Sequence, residues 1–170
     1  GSAGGDALVV IGYLDQGGKG MIEAALDSGS FDLFVLSDGM IGQSIADAIG
    51  ADLNGSFGSM PGTDSDGSAK FAEISGDIDP TAPYAGESYD AAALIVLAMQ
   101  AGGSSDRDAV VANIKKVANA PGEKILPGEL AKGLEILASG GDIDYQGATD
   151  VELSTFGDAA GSFKELEVKG

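Results

Sequence analysis

The chain has 170 residues, 44% of them hydrophobic and only 6% aromatic, with 28 glycines, a composition that excludes a disordered polypeptide and suits an α/β protein with many tight connections. Its 27 acidic and 9 basic side chains give a formal net charge of −18, which repels phosphate backbones and anionic membrane surfaces, so nucleic acid is not an expected partner. The sequence has no Cys, His or Trp; thiolate nucleophiles, Ser-His-Asp triads and ordinary zinc sites are thereby excluded, and no catalytic residue, metal or cofactor is expected.

In chain order, Gly1-Ser2 reads as a tag remnant and residues 1–5 as tag remnant and linker. Ala7 to Tyr13 is a continuous apolar run, the pattern of a strand buried on both faces with neighbours on both sides. From Gly18 the period changes. Met21, Ile22, Ala25 and Leu26 share one helical face that stops at Gly29, and Leu33 to Leu36 is a second buried strand. Strand, helix and strand in that order form a βαβ unit. Ile41, Ile45 and Ile49 then mark a second helix closed by Gly50, and a weaker strand is expected at Ser56 to Met60, ended by Pro61-Gly62.

A polar loop at 63–68, a short helix at Ala69 to Ile74 and a proline-bearing connector at 76–83 follow. Ala91 to Met99 is apolar on every side, which predicts a helix packed between other elements. Ser105 and Asp108 suggest a variant capping box before the Val110, Ile114 and Val117 stripe, and Pro127 suits the first position of a helix carrying Leu130, Leu134 and Leu137. Three consecutive helices would break the alternation. In the tail, Val151, Leu153, Leu166 and Val168 alternate with polar residues and predict a hairpin or paired strands.

Ligands in open α/β sheets sit outside the carboxyl ends of the strands. The polar residues there are Tyr13 and Asp15 after the first strand, and Ser37 and Asp38 after the second. Gly12 and Gly17 have the spacing of a phosphate loop, but Gly18 stands where the lysine is needed and no Ser or Thr follows Lys19. Asp64-Ser65-Asp66-Gly67 and Asp142-Ile143-Asp144 resemble fragments of calcium loops, and neither continues to the bidentate Glu. A carboxylate at position 38 would hold a ligand ammonium and the Tyr13 ring would cover its apolar part; an Asp capping the Ile41 helix beside a core Tyr is the structural alternative, and both stay open on the sequence.

The segments ALVVIGYLDQGGKGMIEAALDSG, FVLSDGMIG, LNGSFGSMPG, PYAGESYDAAALIVLAMQAGG and GATDVEL followed by GD resemble, in this order, the second half of type I periplasmic solute-binding proteins, above all the branched-chain amino acid (Leu/Ile/Val) receptors of ABC transporters. The resemblance implies an α/β fold with a Rossmann-like parallel sheet and flanking helices, part of a two-lobed architecture: 6–82 as a partial second lobe, 83–150 as the helical return to the first, and 151–170 as the strands crossing back. It further implies a non-enzymatic periplasmic protein that captures a small polar solute by lobe closure and hands it to a membrane permease.

The family's cleft Tyr falls on Tyr13 and its ammonium-binding carboxylate on Asp38, with Tyr84 and Glu87 as further cleft candidates. The receptors carry Glu where Asp38 stands, and an aromatic of some relatives falls on Gly86, which points to a bulkier amino acid, an amide or an organic acid. Relatives are about twice as long, so the reading expects a fragment, with homodimerisation or strand exchange as the remedy for open sheet edges. The alternative from another class is a stand-alone flavodoxin-like or receiver-like domain, which requires a complete five-stranded sheet.

Overall fold

The computed structural model describes residues 4–169; the tag-remnant reading of Gly1-Ser2 lies outside them. Contacts divide the chain into two compact units, one running to Pro61 and resumed at Phe163, the other Gly62–Ser162. The short helix after Pro61, counted above within the segment to residue 82, clusters with the second unit.

The first unit is a four-stranded sheet of order β1-β2-β3-β6, made of β1 (Leu8–Val10), β2 (Phe34–Leu36), β3 (Phe57–Pro61) and β6 (Phe163–Glu167). The first three strands run parallel and β6 is antiparallel to β3. Helices α1 (Gly18–Asp27) and α2 (Gln43–Ile49) fill the crossovers. One face of the sheet presents Val10, Phe34, Leu36 and Met60 to Ile22 and Ile45 in a single buried cluster. Strands alternate their side chains, so the opposite face receives Val9, Val35 and Phe57.

That alternation corrects one expectation. The run from Ala7 to Tyr13 is not buried on both faces: Val9 is 62% and Ile11 81% exposed, and β1 pairs only with β2 among the described residues. A continuous apolar run does not report which of its faces is covered. The tail is corrected as well. Instead of a hairpin within 151–170, Leu153 and Ala159 form an isolated antiparallel bridge, and β6 pairs with β3 a hundred residues earlier in the chain. With a four-stranded sheet whose last strand is antiparallel, the five-stranded flavodoxin-like alternative fails.

The second unit holds α3 (Asp66–Ile74), α4 (Ala85–Gly102), α5 (Arg107–Ala118), β4 (Glu123–Ile125), α6 (Leu130–Ala138) and β5 (Ile143–Tyr145). Strands β4 and β5 are parallel neighbours joined through α6, so the expected break into three consecutive helices is also wrong. The β4 sequence Glu-Lys-Ile is too short and too charged to announce a strand. Helix α4 buries Asp90, Ala93, Leu94, Leu97 and Ala98, one stripe at three- and four-residue spacing, while Ile95 and Val96 are 42% and 40% exposed. It packs on α5 and α6 through that stripe and is not enclosed on all sides.

The helix starts differ too. Asp106, without a side-chain cap, precedes α5; the capping box belongs to Ser65 and Ser68 at the start of α3. Pro127 lies in the turn before α6, where the Glu129 carboxylate accepts a hydrogen bond from the Leu126 amide at 3.0 Å.

Gly58 sets the spacing of β2 and β3, because a Cβ there would run into the Leu36 carbonyl and lie 3.2 Å from Cβ of Ile41. Gly58→Ala is expected to cost about 1 to 3 kcal/mol through overpacking, read as a lower urea midpoint; an unchanged midpoint would show that the strands have slack.

Candidate functional site

At the carboxyl edge of the first unit, the chain turns immediately after β1 and β2. The Ser37 hydroxyl lies 3.3 Å from the Gly12 amide and 3.4 Å from the Gly12 carbonyl, and Leu14 donates its amide to the Gly39 carbonyl at 3.3 Å. These long contacts tie the two strand exits side by side. After Ser37 the chain closes a tight turn, with the Met40 and Ile41 amides both donating to the Ser37 carbonyl at 2.8 and 2.9 Å.

Two glycines permit the close approach. A Cβ on Gly39 would lie 2.5 Å from the Gly12 carbonyl and 2.8 Å from the Tyr13 ring, so that ring rests directly on the turn that carries Asp38. A Cβ on Gly18 would strike the Met40 sulfur, and the bare Gly18 amide donates to the Tyr13 carbonyl at 3.1 Å. Glycine at these positions is required for packing. Sequence reasoning missed the packing role of both, although Gly39 directly follows Asp38 at a strand end.

Tyr13 is 62% exposed and is therefore not a core residue. Asp38 is half-buried, and it does not cap the following helix, whose N-cap is Gly42 with no side-chain cap bond. The core-Tyr and capping-Asp alternative thus does not describe this edge. Tyr13, Ser37 and Asp38 converge on it, whereas Asp15 sits exposed in a 3-10 turn (Leu14–Gln16) beyond it.

Tyr84 and Glu87 belong to the second unit. Tyr84 takes a left-handed backbone conformation (φ 64°) at the start of α4, and Glu87 sits half-buried in the first turn, where the helix dipole favours a carboxylate.

The most elaborate polar site of the second unit escaped the sequence reading. Asp90 is 2% exposed and each of its carboxylate oxygens accepts two hydrogen bonds. Oδ1 takes the Tyr145 hydroxyl at 2.8 Å and the Ala148 amide at 2.7 Å; Oδ2 takes the Thr149 amide at 2.8 Å and the Thr149 hydroxyl at 2.7 Å. Gly147 is left-handed (φ 59°) where a Cβ would collide with this carboxylate, and a Cβ on Gly67 of α3 would collide with the Gly147 carbonyl. Gly86 lies against the same loop, with a Cβ 3.3 Å from the Thr149 methyl. The one signal was an acid entering an otherwise apolar helix. The pinned loop forms part of a polar cavity of about 330 Å³, lined by Gln146, Thr149, Asp150, Glu152 and Ser162 among others.

No protein-family model matches the chain. A solved leucine-binding protein, LivK of Thermotoga maritima, superimposes over 96% of the chain with a TM-score of 0.64 at 20% identity. The fold is that of the type I periplasmic binding proteins. The chain spans 41% of that neighbour's length. Over 89 residues, 52% of the chain, it is also 30% identical to BasB of Halobacterium salinarum, a substrate-binding protein of a chemotactic signal transduction system, of which the match covers 22%. Both of these proteins are named as binding proteins. Among the described residues no helix is long and apolar enough to cross a membrane.

Burial, and then the Asp90 carboxylate, push the Tyr145 hydroxyl far above the ordinary tyrosine range. Its contribution to stability is complete below the unfolded-state value and is lost as pH rises, because above about pH 10 the unfolded chain releases a proton that the folded chain keeps. Urea midpoints taken from about pH 8 to about pH 11 are expected to fall more steeply for the wild type than for Tyr145→Phe. Parallel slopes would mean that this hydroxyl ionises freely in the folded state.

Proposed function

We propose that the chain is the ligand-binding portion of an ABC transporter substrate-binding protein, which captures a small polar solute by lobe closure outside the cytoplasmic membrane and presents it to a permease. The observation that supports this most directly is the convergence of Tyr13, Ser37 and Asp38 at the carboxyl edge of parallel strands, in a fold shared with a leucine-binding protein. At such an edge, polar side chains project toward a ligand without competing with the sheet's own hydrogen bonds.

In this reading Asp38 pairs with a cationic group of the solute and the exposed Tyr13 ring lies over its apolar part. Asp38 has a shorter reach than a Glu, so a bulkier amino acid, an amide or an organic acid fits better than a branched-chain amino acid. Asp15 takes a supporting place beside them, while Tyr84 and Glu87, at the start of α4, are candidates within the second unit by itself. No metal, cofactor or catalytic group enters the proposal, and a periplasmic location follows from the role. Pairing of the chain with a second copy along an open sheet edge belongs to the same reading, and its measure is mass in solution.

Isothermal calorimetry of the full-length protein against a panel of amino acids, amides and organic acids is the test. Asp38→Ala is expected to weaken the best ligand roughly 10- to 100-fold, the value of one charge-assisted hydrogen bond. Gly39→Ala, which displaces the Tyr13 ring and the Gly12 carbonyl, should weaken it without removing any side chain. Unaltered affinity in Asp38→Ala would take that residue out of the site.

A further inference from the structure

The turn between α2 and β3 carries a feature unrelated to the strand-edge site. Asn54-Gly55-Ser56 has the spacing of an asparagine-linked glycosylation acceptor. Neither of the other asparagines, Asn113 and Asn119, is followed two residues later by Ser or Thr.

Asn54 is exposed and stands just past a 3-10 turn (Gly50–Leu53), and its side chain makes no hydrogen bond to the described residues. Gly55 follows in a left-handed conformation (φ 84°), with nothing within 4 Å of where a Cβ would be. The position precedes β3, so it lies at the amino edge of the parallel strands, opposite the edge that carries Tyr13 and Asp38. A large substituent there would leave that edge open.

Ser56 is arranged differently. It is fully buried; its hydroxyl accepts from the Phe34 amide at 3.1 Å, and its backbone bonds Leu53 and Val168 at 2.9 and 2.8 Å. The Gly55 amide is also taken, by the Val168 carbonyl at 3.0 Å. In the folded unit, a transferase that must read the hydroxyl two residues after the asparagine cannot reach it. Before β3 is docked between β2 and β6 the whole tripeptide is accessible.

We propose that Asn54 is an N-glycan acceptor that is modified as the chain emerges across the membrane, before the first unit closes on Ser56. The inference rests on the exported location proposed above. The donor class is a sugar linked to a lipid phosphate. The Asn54 amide nitrogen bonds to the anomeric carbon, the bond from that carbon to the phosphate oxygen breaks, and the lipid phosphate leaves with the electron pair. The proton lost from the amide nitrogen passes to a base of the transferase.

Peptide mapping by mass spectrometry of the full-length protein, purified from the organism that encodes it, tests the assignment. The peptide containing Asn54 is expected to be heavier by whole sugar units, and Asn54→Gln, which leaves the buried Ser56 contacts in place, should abolish the increment. An unmodified peptide from exported protein overturns the proposal. Cell fractionation, run in parallel, separates the two readings: protein found only in the cytoplasm sinks the exported role itself. For that case the chain is secreted behind an added signal peptide in a glycosylating host, where an unmodified Asn54 again overturns the acceptor assignment. The order of events is read by offering a purified oligosaccharyltransferase and a lipid-linked oligosaccharide to the native chain and to the urea-unfolded chain. Modification of the unfolded form alone is expected, and equal modification of both would overturn the requirement for an open first unit.

Discussion

Asp90 accepts four hydrogen bonds in a place almost without solvent, and the second unit is built around satisfying it. A buried carboxylate left short of donors is among the most costly groups a fold can carry. Here the donors come from the last residue of β5 and from the loop that follows, so the first turns of α4, the end of β5 and residues 146–149 have one mutual arrangement. Gly67, Gly86 and Gly147 are consequences of that arrangement, since each removes a Cβ from the path of the loop or of the carboxylate. The polar cavity beside the loop takes its shape from the same constraint.

The first unit solves a different problem by similar means. Its strands are short, and the two strand exits bearing Tyr13 and Asp38 must approach closely to present a single surface. Gly39 and Gly18 allow the backbone and the Tyr13 ring into contact, and the Ser37 hydroxyl bridges to Gly12 across the gap. A strand edge made this way depends on backbone approach more than on any one side chain. In that respect it matches the general placement of ligands at the carboxyl ends of parallel strands.

The alternation of apolar runs and periodic stripes located β1, α1, β2, α2 and β3 to within a few residues, because each of those segments has the hydrophobic period of its own structure. It failed at β4 and β5, three-residue strands in which Glu123, Lys124 and Asp144 occupy positions that a pattern of apolar residues cannot flag. It also overestimated burial. Ile11 and Val9 look the same in sequence as Val10, and only the placement of α1 and α2 on one side of the sheet separates them. The buried face of α4 shows the same limit: an evenly apolar helix gives no hint of which stripe is turned inward.

Composition and local pattern alone determined that this is an α/β protein without cysteine, histidine or zinc chemistry, that its first strands run parallel, and that Tyr13, Ser37 and Asp38 stand at strand ends. These properties depend on residue type and on periods of two or about four residues, which a linear sequence records. The tertiary structure alone decided that β6 joins β3 as an antiparallel neighbour, that Tyr13 is exposed over Gly39, and that Asp90 collects its four donors from residues more than fifty positions away. Those facts depend on which distant segments meet. Meetings of that kind are set by the packing of whole faces and by the satisfaction of buried polar groups, and neither leaves a periodic trace in the chain.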